Sequence, residues 1–471
     1  MTAADAWSLR FDRGTLVLDA PENGADATAP FSLPEDWRYD TRTLQWRAPA
    51  NRYRDVILQL KAAGLTVTDT ARHYEPMTLK LTRALTPRPH QAEALKAWLA
   101  AERRGVVQMP TGSGKTYLAA LAILATQRST LVVVPTIDLM HQWQRVLTEL
   151  FGVKVGELGG GSRDVQPITV ATYDSAALTV ESLGNRFGLL VADECHHLPA
   201  PQYRTIALGS LAPFRLGLSA TVERADGREI DVYKLMGKLA YDATIHDMQG
   251  DVLSPYDVVS IQVDLSDDEH RAYQTARQTY IEFLRRHRIN FSRPGAWREF
   301  VARASRMPGG RAAMRAYREQ RRIAQASSAK LDVLWKVMHD HRQDRMIVFT
   351  DDNAMAYRIG RDFILPVLTH QTKSAERKRM LDAFRAGELS VIVTSKVLNE
   401  GVDVPDASVG VVISGSGAVR EHVQRLGRIL RHRPGKRAVL YELLSRGTSE
   451  LNVHQRRKQH HAYQGPAEIP S

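Results

Sequence analysis

A chain of 471 residues is longer than one hydrophobic core organises, so two large domains with smaller attachments are expected. Hydrophobic residues at 43% and charged residues at 25% are ordinary for a soluble globular protein, and apolar runs such as Leu131–Pro135 and Val409–Ile413 have strand length, which argues against a membrane span. The formal net charge of +12 points to a polyanionic partner, and the single cysteine, Cys195, excludes an internal disulfide and a cysteine-cluster metal site. Met1–Arg10 lacks the basic-then-apolar pattern of a signal peptide, so a cytoplasmic, nucleoid-associated location is expected.

In chain order, residues 1–78 read as a small separate α+β domain. Leu16-Val17-Leu18 suggests a strand and Tyr53–Leu60 an amphipathic helix, with a Pro/Gly/Asp-rich loop from Ala20 to Pro34. Residues 79–265 then repeat strand, turn and helix, with candidate strands at Gly105–Gln108, Thr130–Val134, Ile168–Ala171, Leu189–Ala192 and Leu216–Leu218. Short continuous apolar runs of this kind form parallel sheets covered on both faces. Residues 266–326 are Arg-rich and helical around a break at Pro308-Gly309-Gly310. Between His270 and Gln325 they carry fourteen Arg against three Glu, a balance of +11. A solvated helical face explains that charge as readily as a phosphate-binding surface does. A second α/β series occupies 327–450, at Met346–Thr350, Val367–Thr369, Val391–Thr394, Val409–Ile413 and Val439–Leu443. A basic tail, including Gln455-Arg456-Arg457-Lys458, follows from 451 to 471.

The strongest local signal is Met109-Pro110-Thr111-Gly112-Ser113-Gly114-Lys115-Thr116, between a buried strand and an amphipathic helix at Tyr117–Thr126. Small residues let backbone N–H groups approach phosphates, and the helix start adds positive potential. Lys115 is placed to reach the terminal phosphates of ATP and Thr116 to ligate Mg²⁺. Met109 stands where such loops usually carry their first glycine. Downstream, Leu189–Ala192 leads into Asp193-Glu194-Cys195-His196-His197. A carboxylate pair at the tip of a parallel strand lies where α/β sheets bind ligands. Asp193 suits Mg²⁺, and Glu194 suits the attacking water. A zinc site at Cys195, His196 and His197 is disfavoured, because adjacent residues on one tight turn rarely converge on one metal.

Arg88-Pro89-His90-Gln91, Ser219-Ala220-Thr221, Asn399-Glu400-Gly401-Val402-Asp403 and Gln424-Arg425-Leu426-Gly427-Arg428-Ile429-Leu430-Arg431 complete a familiar order. The chain resembles superfamily 2 helicases, and more narrowly the XPB family of DNA repair helicases in its short archaeal-type form. Ser414-Gly415-Ser416-Gly417 and Tyr441–Thr448 add to the likeness. The resemblance implies two RecA-like domains with parallel sheets, a small N-terminal domain that senses distorted DNA, and a helical thumb-like insertion. It assigns Arg88 and Gln91 to adenine. Pro110–Thr116, Glu400, Gly401, Asp403 and Gln424 go to the nucleotide. Ser219 and Thr221 couple hydrolysis to domain closure, and Arg428 and Arg431 act as the catalytic arginines of the second domain.

DNA contacts are expected from Thr136, Thr172 and Thr394 and from Arg285, Arg286 and Arg288, the last three beside Phe291 and Trp297. For Trp143, after Gln142, core packing is the stronger expectation. The family's charged wedge, usually Arg-Glu-Asp, reads here Arg224-Ala225-Asp226, which favours translocation over strand separation. The expected function is an ATP-dependent 3′→5′ DNA helicase or translocase in DNA repair. The alternatives are a duplex translocase with weak strand separation and a non-catalytic DNA-binding scaffold. Partners are forked, bubble or damaged DNA and, by analogy with archaeal relatives, a nuclease; no membrane is involved and a monomer is expected.

Overall fold

The computed structural model describes residues 7–19, 36–43, 45–64, 67–84, 86–222, 229–244, 246–248, 256–291, 293, 295–395, 407–414 and 438–451. Three sheets form among these residues. The chain divides into two compact units, the first from Met1–Met109 and Gly114–Ala243, the second from Thr244–Ser471 with Pro110–Ser113.

The first sheet runs in the order Arg38–Asp40, Gln45–Pro49, Thr15–Asp19, Trp7–Asp12, Val67–Asp69 and is antiparallel except for its last pair. Leu9, Leu16 and Leu18 face the helix Tyr53–Ala62, which contributes Tyr53, Val56 and Leu60 to the same core. This domain is less separate than its composition suggests. Leu211, from beyond the 1–78 segment, fills its core, Asn185 Nδ2 donates to Ala71 O at 2.9 Å, and the His73 amide donates to Asn185 O at 3.0 Å. Shared apolar burial makes it one unit with the α/β domain that follows.

That α/β domain holds eight strands in the order Leu239–Asp242, Arg104–Gln108, Phe214–Ser219, Leu189–Asp193, Thr130–Val134, Ile168–Thr172, Gly156–Gly159, Ser162–Arg163. All pairs are parallel except the last. The three central strands Leu189–Asp193, Thr130–Val134 and Ile168–Thr172 are buried at every residue, which is why they read as continuous apolar runs. Arg215, on the strand ending at Ser219, is fully buried and donates to the carbonyls of Ala207, Ser210, Ala212 and Leu235 at 2.7–3.3 Å. Burial pulls its pKa down to about 9. Arg215→Leu strands those buried acceptors and is expected to cost about 3 kcal/mol or more, read as a fall in the urea midpoint. An unchanged midpoint would mean that water reaches this cage.

The second unit carries six parallel strands in the order Tyr256–Val263, Ala438–Ser445, Val409–Val412, Met346–Phe349, Val391–Thr394, Val367–Leu368. Tyr256–Val263, counted from the sequence with the first α/β domain up to residue 265, belongs instead to this sheet. It pairs residue for residue with Ala438–Ser445, from Tyr256↔Ala438 to Val263↔Ser445. Only the distant partner's register decides which sheet claims such a strand. The Arg-rich segment forms three helices, Asp267–Arg286, Ala296–Arg306 and Gly310–Gln325, around Tyr280, Phe283, Phe300 and Ala313. The first starts with a Ser266/Glu269 capping box, and the last starts at Gly310, the final residue of the Pro/Gly break. No helix among the described residues is long and apolar enough to cross a membrane.

Candidate active site

The strand Arg104–Gln108 leads into a loop whose entrance is fixed by the Met109 amide donating to Ser219 O at 2.9 Å. Met109 itself is fully buried, so the residue replacing the usual glycine serves the core. Within the loop, the Ser113 hydroxyl donates to Pro110 O at 2.8 Å. Gly114 has φ +87°, and a Cβ there would lie 2.4 Å from Gln91 Nε2. Backbone conformation and crowding both demand glycine at this position. The helix Lys115–Thr126 starts here, so its first-turn N–H groups lie at the loop. Lys115 Nζ donates to Met109 O at 3.1 Å, which draws the ammonium over the loop, and Thr116 follows in the first turn.

Arg88 and Gln91 lie at the start of the helix Pro89–Ala100. The Arg88 amide donates to Gln91 Oε1 at 3.0 Å, and Gln91 Nε2 donates to Gly114 O at 3.3 Å. Buried in this way, the Gln91 amide braces the loop. A contact with adenine requires those bonds to be exchanged.

Asp193 ends its strand with both carboxylate oxygens engaged. The Glu194 amide donates to Oδ1 and Trp143 Nε1 donates to Oδ2, each at 3.1 Å. Burial, and then the Glu194 charge, push its pKa up to about 6, against the pull of the nearby Lys115. Glu194 adopts φ +48°, a left-handed conformation uncommon for a non-glycine residue and found where function constrains the backbone. Its Oε2 accepts from the Ser219 hydroxyl at 3.4 Å, and His196 Nδ1 lies 3.0 Å from the same hydroxyl. The one proton of Ser219 has a nearer alternative acceptor in Thr221 O at 2.6 Å. Ser219, singled out as a coupling residue, can thus give its proton either to Glu194 or to the Thr221 carbonyl. Cys195 is part of the domain core, and no group of three or more metal-ligating side chains occurs among the described residues.

Trp143 is 1% exposed, as core packing requires, but its indole N–H also fixes the Asp193 carboxylate, a role sequence reasoning missed. The only sequence signal is an indole on the helix after Thr136. Trp143→Phe keeps most of the packing and deletes the donor. ATP turnover is expected to fall about tenfold, read from steady-state rates. Lost thermal stability with normal turnover would reduce Trp143 to packing.

Thr136 and Thr172 cap the helices Ile137–Phe151 and Tyr173–Leu183, their hydroxyls accepting from the Leu139 and Ser175 amides at 3.3 Å. The preceding strands are neighbours, with Val134 opposite Thr172, so two helix starts share one sheet edge. Any phosphate contact there falls to backbone N–H groups more than to the hydroxyls. Thr394 differs from expectation. It is fully buried and donates to Ser395 O at 3.0 Å, so its hydroxyl does not face a phosphate. A strand-end threonine reads the same in sequence whether it points outward or into the core. Arg285, Arg286 and Arg288 are exposed at the C-terminal end of Asp267–Arg286, with Phe291 43% and Trp297 44% exposed nearby.

Three family models match along the chain. They describe the Xeroderma pigmentosum group B helicase damage recognition domain over residues 9–71, the type III restriction enzyme res subunit over 84–224, and the ERCC3/RAD25/XPB C-terminal helicase over 320–467. The DNA 3′-5′ translocase XPB2 of Sulfurisphaera tokodaii is 36% identical over 451 residues, covering 96% of this chain and 99% of that protein. The chain belongs to the XPB helicase family. The DNA 3′-5′ helicase XPB of Mycobacterium tuberculosis is 31% identical over 375 residues, 77% of this chain. The chain spans about three fifths of that protein's length (61%). Among solved structures, S. cerevisiae Dbp5 bound to RNA and ADP BeF3 matches with a TM-score of 0.54 at 15% identity, over 80% of this chain and 88% of that one. That likeness supports the helicase-type α/β fold. The other XPB-like positions named from the sequence, Arg224, Asp226, Glu400, Gly401, Asp403, Gln424, Arg428 and Arg431, lie outside the described residues.

Proposed function

We propose that this protein is an ATP-dependent 3′→5′ DNA helicase or translocase of DNA repair. The observation that carries the reading is the union, at one sheet edge, of Lys115, Asp193 and Glu194 with Ser219 and Thr221 behind them. Helix-start amides and an ammonium suit anionic phosphate oxygens. The Thr116 hydroxyl and the Asp193 carboxylate suit Mg²⁺, which takes few protein oxygens and shares the substrate's phosphates. Mg²⁺ would neutralise phosphate charge. Glu194 would orient water and accept its proton as ADP and phosphate form. The Ser219 hydroxyl, whose one proton can go to Glu194 or to Thr221 O, would switch between them and so carry the event towards Thr221. Arg428 and Arg431 would supply transition-state charge from the second domain.

DNA is proposed to run along the edge marked by Thr136 and Thr172 and to be gripped by the Arg-rich helices. Replacing Arg285, Arg286 and Arg288 together with Ala is expected to weaken DNA binding and flatten its salt dependence by up to about three units of slope. An unaltered slope would return these arginines to an ordinary solvated surface. A nuclease partner, a monomeric state and a cytoplasmic, nucleoid-associated location complete the proposal. ATP turnover measured with forked, bubble and linear DNA tests it, and turnover indifferent to all three would overturn it.

A second reading, duplex translocation with little strand separation, is favoured by Ala225 in place of the wedge's central acid. Triplex displacement without displacement of a plain forked strand is its expected signature. Efficient unwinding of the fork would dismiss it.

A further inference from the structure

The Arg-rich insertion and the second sheet keep separate cores. The insertion packs around Tyr280, Phe283, Phe300 and Ala313, and the sheet around Leu334, Val348, Ile359 and Val411. A small third cluster, Tyr273, Ile323 and Ala324, joins them. Between the two cores opens a cavity of about 460 Å³, with Tyr280, Phe291 and Tyr317 on the insertion side and Val412 and Leu443 on the sheet side. Close apolar packing does not cross that gap, so polar bonds carry more of the junction.

One group of these bonds reaches the edge of the sheet. Arg321, on Gly310–Gln325, pairs its Nη2 with Asp351 Oδ2 at 2.7 Å, and Gln325 Nε2 donates to the same oxygen at 3.3 Å. The other arm of the guanidinium, Nη1, donates to the Tyr317 hydroxyl at 3.4 Å, and the group lies 5.9 Å from the centre of that ring. Tyr317 packs on the insertion core. The Asp351 side chain is 8% exposed, against 42% for Arg321, so salt screens this pair less than a surface one.

Asp351 follows Met346–Phe349, at the carboxyl edge where parallel sheets bind ligands. Its amide donates to Ser414 Oγ at 2.9 Å. Ser414 is buried and stands two residues after the neighbouring strand Val409–Val412. That strand end is anchored on both sides. The Ile413 amide donates to Phe349 O at 3.0 Å, and Ile413 O accepts from Lys330 Nζ at 2.8 Å. Lys330 is fully buried, and its ammonium also pairs with Glu450 at 2.8 Å. In sequence, Ser414 opens Ser414-Gly415-Ser416-Gly417 and leads to Gln424–Arg431, the segment expected to supply the catalytic arginines.

We infer that Asp351 is a positioning residue through which DNA held on the insertion sets the rate of ATP turnover. The inference rests on the reading of the Arg-rich helices as the DNA grip. DNA drawn onto Arg285, Arg286 and Arg288 loads helices that Arg321 ties to Asp351, and the Asp351 amide is tied in turn to Ser414. Coupling of this kind travels through contiguous bonded groups. Because the strand end before Ser414 is anchored, the load passes along the chain and is not absorbed at the edge. Neutralising Asp351 therefore spares the grip and the chemistry and removes the link between them.

The test measures ATP turnover without DNA and with saturating forked DNA, and DNA affinity by fluorescence anisotropy, all on the full chain. Asp351→Asn, isosteric but uncharged, is expected to keep DNA-free turnover and DNA affinity within about twofold and to lower the stimulation by DNA about fivefold or more. Arg321→Lys, which keeps the charge, should retain most of the stimulation, and Arg321→Gln should lose it. Arg321→Gln combined with Asp351→Asn should lose no more than either change alone, because both break one link. Losses that multiply, or normal stimulation in Asp351→Asn, would overturn the inference. So would an equal fall in turnover with and without DNA, the mark of a merely structural pair. A drop in DNA affinity confined to Arg321→Gln would also overturn it, by making that arginine a DNA contact. Unchanged DNA affinity on replacing Arg285, Arg286 and Arg288 defeats instead the grip reading on which the inference rests.

Discussion

Replacing Lys115 with Ala is expected to lower DNA-stimulated ATP hydrolysis by about three orders of magnitude while leaving DNA affinity nearly unchanged. Its Nζ bonds to Met109 O across the phosphate loop, and its charge is felt at Asp193. A phosphoryl group gains negative charge on its outer oxygens as it transfers. Losing one charge-matched donor in such a site costs about 10²–10³ in rate, roughly 3–4 kcal/mol of barrier. Lys115 is only half-buried, so a shorter side chain leaves no large void. The arginines proposed to grip DNA lie on the insertion, beyond this loop. Turnover and oligonucleotide affinity measured on the same preparation decide the matter. Near-normal turnover would place the nucleotide elsewhere, and a parallel collapse of DNA binding would indicate misfolding.

Glu194→Gln is expected to retain nucleotide binding and lose about 10²–10³ in turnover. The substitution is isosteric but removes the proton acceptor and the charge that receives the Ser219 hydroxyl. It also relieves Asp193, whose pKa is raised in part by the Glu194 charge. Nucleotide affinity should therefore hold or improve while the chemical step fails. A fluorescent ATP analogue reports binding, and single-turnover phosphate release reports chemistry. Loss of binding with an intact chemical step would reverse the assigned roles of the two carboxylates.

These two residues were legible because their signals are local. A glycine-rich turn between an apolar strand and a helix, and an acid pair at a strand tip, encode their geometry within a few residues. The same holds for the buried strands, whose apolar runs match the observed Thr130–Val134 and Val391–Thr394 residue for residue. Thr394 shows where local reading ends. Its type suggested an exposed hydroxyl, but its strand has a partner on each side and the residue lies in the core.

By itself, the order of residues determined the glycine-rich loop between strand and helix, the acid pair at a strand tip, the alternation of strand and helix, and a cationic helical insertion. Each follows from periodicity, glycine placement or charge within one segment. Only the tertiary structure decided that Trp143 holds Asp193 across 50 residues, that Arg215 is caged by carbonyls, and that Tyr256–Val263 joins the sheet of Ala438–Ser445. It also decided that Tyr280, Phe291 and Tyr317, from separate parts of the insertion, line one cavity. Such contacts join groups far apart in the chain, and their selection depends on packing and hydrogen-bond satisfaction over the whole core, which no local window contains.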